Sequence, residues 1–278
     1  MTDTAGGHWL SRELGRAPIA LVTGGSTGLG LALARELLAH GVTVFICART
    51  QADLDAAIAA EPRFHAVRAD VAKAEDRERL MAAIMAATGG VPLDLLVNNA
   101  AIVRAHDYAN PYTLKADRAA DEIAINLAAP IELARLFLLS RMGGEDTPAA
   151  ILNVSTPGAF FPLDANPLYC ATKSALHMFT LSLRRHLAET PVRVFEVFPP
   201  ALDTRLADQL DVPSQTANGQ EAVDAVAKAT ITGLLDGVET ILPHEQSKAL
   251  VELFPPLDMK LVNALNKGVA RRSGWDRE

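Results

Sequence analysis

Cysteine is almost missing from this chain of 278 residues, which holds only Cys47 and Cys170. Two thiols so far apart make neither a disulfide framework nor a metal set. Cys47 falls in an apolar, strand-like run and Cys170 at a helix start, so both read as reduced packing residues. Positive charge is also in deficit: 26 Lys and Arg face 33 Asp and Glu, for a net charge of −7 with no basic stripe. Neither a nucleic-acid partner nor a membrane is expected. Apolar runs are too short or too interrupted to span a bilayer, and the leading MTDTAGGHWLSREL has no apolar signal core. The expectation is a soluble, cytoplasmic protein. His40, His65, His106, His177, His186 and His244 lack ligand spacing to one another, and no HExxH occurs. Core or surface roles are therefore expected for them, and no metal.

What the chain does have is apolar material, 49 % of its residues, arranged in a regular alternation. Apolar runs at Ile19–Val22, Val42–Cys47, Phe64–Val67, Leu93–Val97, Ile151–Val154 and Val192–Phe198 read as strands, with a short last one at Thr240–Leu242. Helical spacing marks Leu29–Leu38, Ala52–Ala60, Glu75–Ala87, Asp117–Leu139, Pro167–Ala188 and Ala222–Leu235. Seven strands alternating with helices predict an α/β, Rossmann-type, doubly wound and mostly parallel sheet with helices on both faces. A single domain spans the chain, with a core of about 17–243 and a helical extension of about 244–278.

The first strand runs into Thr23-Gly24-Gly25-Ser26-Thr27-Gly28-Leu29-Gly30 and then a helix. Glycines here allow tight turning and bring backbone N–H groups close to a pyrophosphate, toward which the helix dipole points. Gly24, Ser26, Thr27, Gly28, Leu29 and Gly30 are the expected phosphate-binding residues. About 20 residues on, an acidic side chain would hold the ribose hydroxyls of NAD. That position is Ala48, followed by Arg49, whose guanidinium can pair with a 2′-phosphate. NADP(H) is expected over NAD(H). Asp70-Val71, after the third strand, suits an adenine edge and face; a helix-capping aspartate is the plainer alternative.

Tyr169 and Lys173 stand four residues apart at the start of a helix, so phenol and ammonium share one face. A free tyrosine ionises near pH 10. A nearby ammonium favours the phenolate and makes the phenol a better acid. Preceding this helix, the strand Ile151–Val154 ends in two hydroxyl residues, Ser155 and Thr156.

With these pieces in order, the chain resembles the short-chain dehydrogenase/reductases over roughly residues 17–243. The resemblance rests on TGGSTGLG, Asp70-Val71, NNAA at 98–101, Asn126, NVST at 153–156, YCATK at 169–173 and FPPALDT at 198–204. The stretch from Tyr169 to Thr204 also looks like the bacterial branch labelled DltE-like. The resemblance implies that Tyr169 is the general acid/base and that Lys173 holds the nicotinamide ribose. It implies that Asn126 holds a water linking Lys173 to solvent, and that a strand-end hydroxyl polarises the substrate oxygen. By the same resemblance Asn99, Ala100, Ala101, Pro199, Leu202 and Thr204 line the cofactor. A small carbonyl or alcohol substrate, apolar or mixed, is expected against Phe160, Phe161, Pro162 and Leu163. So is a homodimer or homotetramer, with His177 at an interface.

The sequence departs from the family at three places. Thr156 stands thirteen residues before Tyr169, where serine is usual, and Ser155 lies one residue earlier. Thr156 is favoured, with Ser155 taking over if a bulge intervenes. Ala101 replaces a glycine, and Pro199-Pro200 replaces Pro-Gly. A polar loop from Leu202 to about Gly219 is placed to close over substrate. The alternative to an enzyme is a nucleotide-binding sensor or scaffold with little turnover.

Overall fold

The computed structural model describes residues 14–113, 115–143, 147–202, 204, 206, 219–254, 260 and 262. Most of the loop after Leu202 and of the tail after Phe254 lies outside these residues. Seven strands form one sheet in the order β3-β2-β1-β4-β5-β6-β7, every neighbouring pair parallel. They are β1 (Ile19–Thr23), β2 (Thr43–Ala48), β3 (His65–Arg68), β4 (Leu95–Asn98), β5 (Ala149–Val154), β6 (Val192–Val197) and β7 (Thr240–Ile241). The expected doubly wound parallel sheet is what forms, with strand ends within two residues of the sequence reading.

Parallel strands covered on both faces read as unbroken apolar runs, because every side chain is buried whichever way it points. In β1, Ala20 and Val22 face one core while Ile19 and Leu21 face the other. The first core takes α1 (Gly28–Ala39), α2 (Gln51–Ala60) and α7 (Gly219–Leu235), through residues such as Leu33, Leu54 and Ile231. The second takes α3 (Ala74–Ala87), α5 (Ala129–Ser140) and α6 (Pro167–His186), through Ile84, Phe137 and Leu183. Each such fully buried side chain contributes about 1.5–3 kcal/mol.

One element differs from its reading. The stretch read as a single helix over 117–139 is α4 (Ala116–Ile123), a π-turn (Ala124–Ala128) and α5. Pro130 is the cause visible in the sequence. It has no N–H to give to the Asn126 carbonyl, and its ring crowds that carbonyl. The whole run Ala116–Ser140 is also long and apolar enough to cross a membrane, contrary to the expectation of only short runs. Its apolar residues Leu133, Ala134 and Phe137 are buried in the second core.

A polar row crosses the sheet near its C-terminal edge. Register aligns Asn98 with Asn153 and Asn153 with Glu196, all buried on the α6 side. Asn98 donates to Asn153 (2.9 Å), and Asn153 donates to Thr180 on α6 (2.8 Å). Hydrogen bonds made in a water-free interior specify one geometry. They fix α6, and with it Tyr169 and Lys173, over the strand ends.

Candidate active site

Strand order reverses beside β1, and there the two halves of a doubly wound sheet part to leave a crevice. A cavity of about 700 Å³ opens at this point. Its lining runs continuously from the glycine turn to the start of α6.

At one end the walls are backbone. Gly28 has φ +53°, open to glycine at little cost, and Thr27 precedes α1 in extended conformation. At Gly30 any Cβ would lie 2.2 Å from the Gly24 carbonyl oxygen and 2.4 Å from Asn99 Nδ2. The turn can close only because that atom is missing. Asn99 completes it: its Nδ2 donates to the Thr23 and Gly24 carbonyls, and its N–H donates to Thr23 Oγ1. Gly24, Thr27, Gly28, Leu29 and Gly30 all line the cavity, whereas Ser26 is buried behind it. Ala100 and Ala101 line the facing wall, and Arg49 stands exposed at the rim.

Val71 lines the cavity but Asp70 does not. The Asp70 carboxylate accepts from Ala72 N–H at 3.1 Å in a local turn, while Lys73 holds the cap position of α3. Arg68 was missed by the sequence reading. Its Nε donates to the Arg49 carbonyl at 3.0 Å, which sets a second guanidinium beside the rim.

At the other end the walls are side chains. Tyr169, Lys173, Ser155 and Thr156 all line the cavity, as do Pro199, Leu202 and Thr204. Lys173 is buried and donates to the Val154 carbonyl at 2.7 Å. Burial lowers its ammonium to about 8, partly offset by the Glu196 carboxylate. Burial also pushes the Tyr169 phenol above its ordinary value, with smaller contributions from Cys170 and the Glu122 carboxylate. In the ligand-free chain desolvation therefore outweighs the acidifying effect expected of Lys173.

Both residues after β5 line the cavity. Thr156 Oγ1 accepts from Gly158 N–H at 3.3 Å and keeps its own proton to donate. Ser155 Oγ is buried without a hydrogen-bond partner. The side chain of Asn126 is spent inside the fold. It is buried, does not line the cavity, and exchanges two bonds with Ile102 (2.9 and 2.8 Å) while donating to Thr172 Oγ1 at 3.3 Å. Its amide is fully engaged in tying the π-turn to the segment after β4.

His177 is paired within the chain: Nδ1 lies 2.8 Å from Glu196, and the ring packs edge-on against Phe160 and Phe198. Sequence reasoning also missed Asn166 and Gln246, both on the cavity. Asn166-Pro167 carried a signal, since Asn before Pro marks a helix start. Gln246 sits on α8 (Glu245–Val251), part of the extension read as helical; no spacing rule pointed it inward. Among the described residues no cluster of His, Cys, Asp or Glu is suited to a metal.

The chain matches the short chain dehydrogenase family over residues 18–215. It is 42 % identical to the uncharacterized oxidoreductase DltE of Bacillus subtilis, over 67 % of this chain and 72 % of that protein. It is 31 % identical to L-xylulose reductase of Bos taurus, over 80 % and 86 % of the two chains. Among solved structures, a metagenomic short-chain oxidoreductase in complex with NADP superposes with TM-score 0.66 at 25 % identity, covering 82 % of this chain and 96 % of that one. A short chain dehydrogenase/reductase from Burkholderia phymatum in complex with NAD gives 0.73 at 22 %, covering 87 % and 98 %. With a glycine turn, a strand-end hydroxyl pair and a Tyr-Lys pair around one cavity, this chain belongs to the short-chain dehydrogenase/reductase family of oxidoreductases.

Proposed function

We propose that the protein is an NADP(H)-dependent oxidoreductase that interconverts a carbonyl and a secondary alcohol, with Tyr169 as general acid/base. The observation that carries this reading is that Tyr169, Lys173, Ser155 and Thr156 open on the same cavity as the glycine turn. The residues present fit a dinucleotide: a glycine cradle that a Cβ would fill at one end, an orphaned buried hydroxyl at the other. Gly24, Thr27, Gly28 and Gly30 would hold the pyrophosphate, Asn99, Ala100 and Val71 the adenosine side, and Thr204 the carboxamide. Arg49, with Arg68 beside it, would pair with the 2′-phosphate. Asp53 lines the same rim and is the observation that favours NAD instead.

When bound, the nicotinamide supplies the hydride for reduction or takes it up in oxidation. In reduction, Tyr169 gives its phenolic proton to the carbonyl oxygen while the Thr156 or Ser155 hydroxyl donates a hydrogen bond to that oxygen. Lys173 holds the ribose and, as an ammonium, favours the phenolate left behind. Its proton is restored from solvent by way of the Asn126 backbone carbonyl, which Pro130 deprives of its usual helical donor. Phe161, Leu163 and Leu250 line the substrate end, which suits a small, apolar or mixed ketone. Relatives named L-xylulose reductase and D-erythrulose reductase support a carbonyl substrate. Assembly as a homodimer or homotetramer belongs to the same proposal and is supported by family membership alone.

The test is a titration with NADP and NAD, followed by turnover assays over a panel of small ketones and alcohols. Tighter NADP binding and nicotinamide-linked turnover are expected. Cofactor binding without turnover of any compound would favour the sensor or scaffold reading.

A further inference from the structure

Behind the substrate wall lies a second acid–base pair that the proposed reaction does not use. Glu122 on α4 is fully buried, and its Oε2 lies 2.9 Å from Nε2 of His106, itself only 7 % exposed. Its other oxygen, Oε1, has no hydrogen-bond partner among the described residues. A carboxylate kept from water costs several kcal/mol unless it is paired. The pair therefore asks for a role beyond packing.

Two sets of contacts point to Tyr169. His106 N–H donates to the Ala165 carbonyl at 3.2 Å, and Asn166 Nδ2 donates to the Arg104 carbonyl at 3.1 Å. The segment 102–106 is thereby laced to residues 163–166, which lead directly into the helix turn that carries Tyr169. Val103, Leu163, Ala165 and Asn166 line the cavity, so this lacing forms its substrate-side wall. Glu122 anchors the wall to α4 through His106. The carboxylate is also near enough to Tyr169 and Cys170 to disfavour their anions.

We propose that Glu122 and His106 are a positioning pair for Tyr169, fixing the two segments that hold it and setting the Glu122 carboxyl behind the wall on which the phenol stands. The inference rests on reading Tyr169 as the general acid/base. Other titratable or charged groups around the pair and the phenol are Lys173 and Cys170 on α6, Asp121 on α4, Arg104 and Tyr108 on the segment after β4, and Asp164 before α6. Of these, Arg104 pairs with Asp121 at 3.3 Å and Lys173 bonds the Val154 carbonyl. Burial pushes the Glu122 carboxyl above its ordinary value, and His106 first, then Arg104, work against that rise.

The test labels tyrosine with ¹³C and follows ring resonances with pH, with oxidised NADP bound. Only three tyrosines are present, and Tyr169→Phe identifies the resonance of interest. Glu122→Gln removes a negative charge and is expected to move the Tyr169 midpoint down by about 0.5–1 pH unit. His106→Leu removes the hydrogen bond that holds the carboxylate and moves it up. His106→Gln, which keeps a donor, stays within about 0.3 unit of the wild type by the same reasoning. A merely structural pair would shift both disruptive variants the same way or not at all, and either result overturns the proposal. Should one variant fail to fold by circular dichroism, the opposed pair of Glu122→Gln and His106→Gln decides: equal midpoints refute it. Where turnover is measurable, the pH limb of kcat/KM follows the same directions. Absence of turnover in the wild type would overturn the proposed reaction, while the titration would still decide the pair.

Discussion

The two ends of the cavity are built from different materials. The glycine end is made of backbone: a φ of +53° at Gly28, a Cβ excluded at Gly30, and carbonyls tied down by Asn99. The Tyr169 end is made of side chains taken out of water: Lys173, Ser155, Asn126 and the Glu122–His106 pair. Backbone walls tolerate almost any side chain that leaves the path of the chain alone. Side-chain walls depend on single atoms. The first end should therefore fail through geometry and the second through chemistry, and substitutions can be chosen to break them separately.

The largest separation is expected from Tyr169→Phe. Loss of the proton donor should lower kcat by about 10²–10⁴-fold, while NADP binds within a few-fold of the wild type by calorimetry. At the opposite end, Gly30→Ala forces a methyl group into the Gly24 carbonyl. It should destabilise the fold by about 1–3 kcal/mol and abolish tight cofactor binding before it affects any proton transfer. If Gly30→Ala binds NADP normally, the backbone account of that end is wrong.

Both ends differ in how far the sequence revealed them. Gly28 and Gly30 were legible because a strand, a turn and a helix in that order leave one place for positive φ and close approach. Tyr169 and Lys173 were legible by their four-residue spacing. Asn126 was singled out, but the bonds of its side chain were not. Only the fold shows that its amide goes to Ile102, and the neighbouring signal, Pro130 four residues later, is plain in retrospect. Asp70 looked almost equally suited to an adenine and to a helix cap, but the cap position falls to Lys73 and Asp70 closes a local turn on Ala72. Glu122 and His106 were opaque because their pairing spans a turn and a helix, and no local pattern brings them together. Among the histidines, His106 is buried and paired with Glu122, and His177 is likewise paired with Glu196.

A smaller contrast concerns pH. Burial places the Lys173 ammonium near 8 in the fold against 10.5 in a free chain. Between those values the unfolded chain holds a proton that the folded chain has released, so stability rises with pH across that window. Above about pH 10 the Tyr169 phenol acts in reverse, because the unfolded chain ionises first. Chemical denaturation of the ligand-free protein from pH 7 to 9.5 should show the rise. Lys173→Met should flatten it and stabilise the fold at pH 7 by up to about 3 kcal/mol. No comparable slope is expected from the glycine end.

The smallest expected effect is at the rim. Arg49→Ala should weaken NADP by about 10-fold, the worth of one exposed charge-assisted pair, and leave NAD nearly unchanged. Equal loss for both cofactors would move the 2′-phosphate away from Arg49, and Arg68→Ala would then be the next substitution to compare.

Deuteride transfer tests the central claim most directly. The wild type and Tyr169→Phe are incubated with C4-deuterated NADPH and a reducible ketone, and the product is analysed by mass spectrometry and NMR. Deuterium on one face of the carbinol carbon in the wild type, with at least a hundred-fold less product from Tyr169→Phe (about 10²), is the expected result. Deuterium transferred equally by both proteins would contradict it.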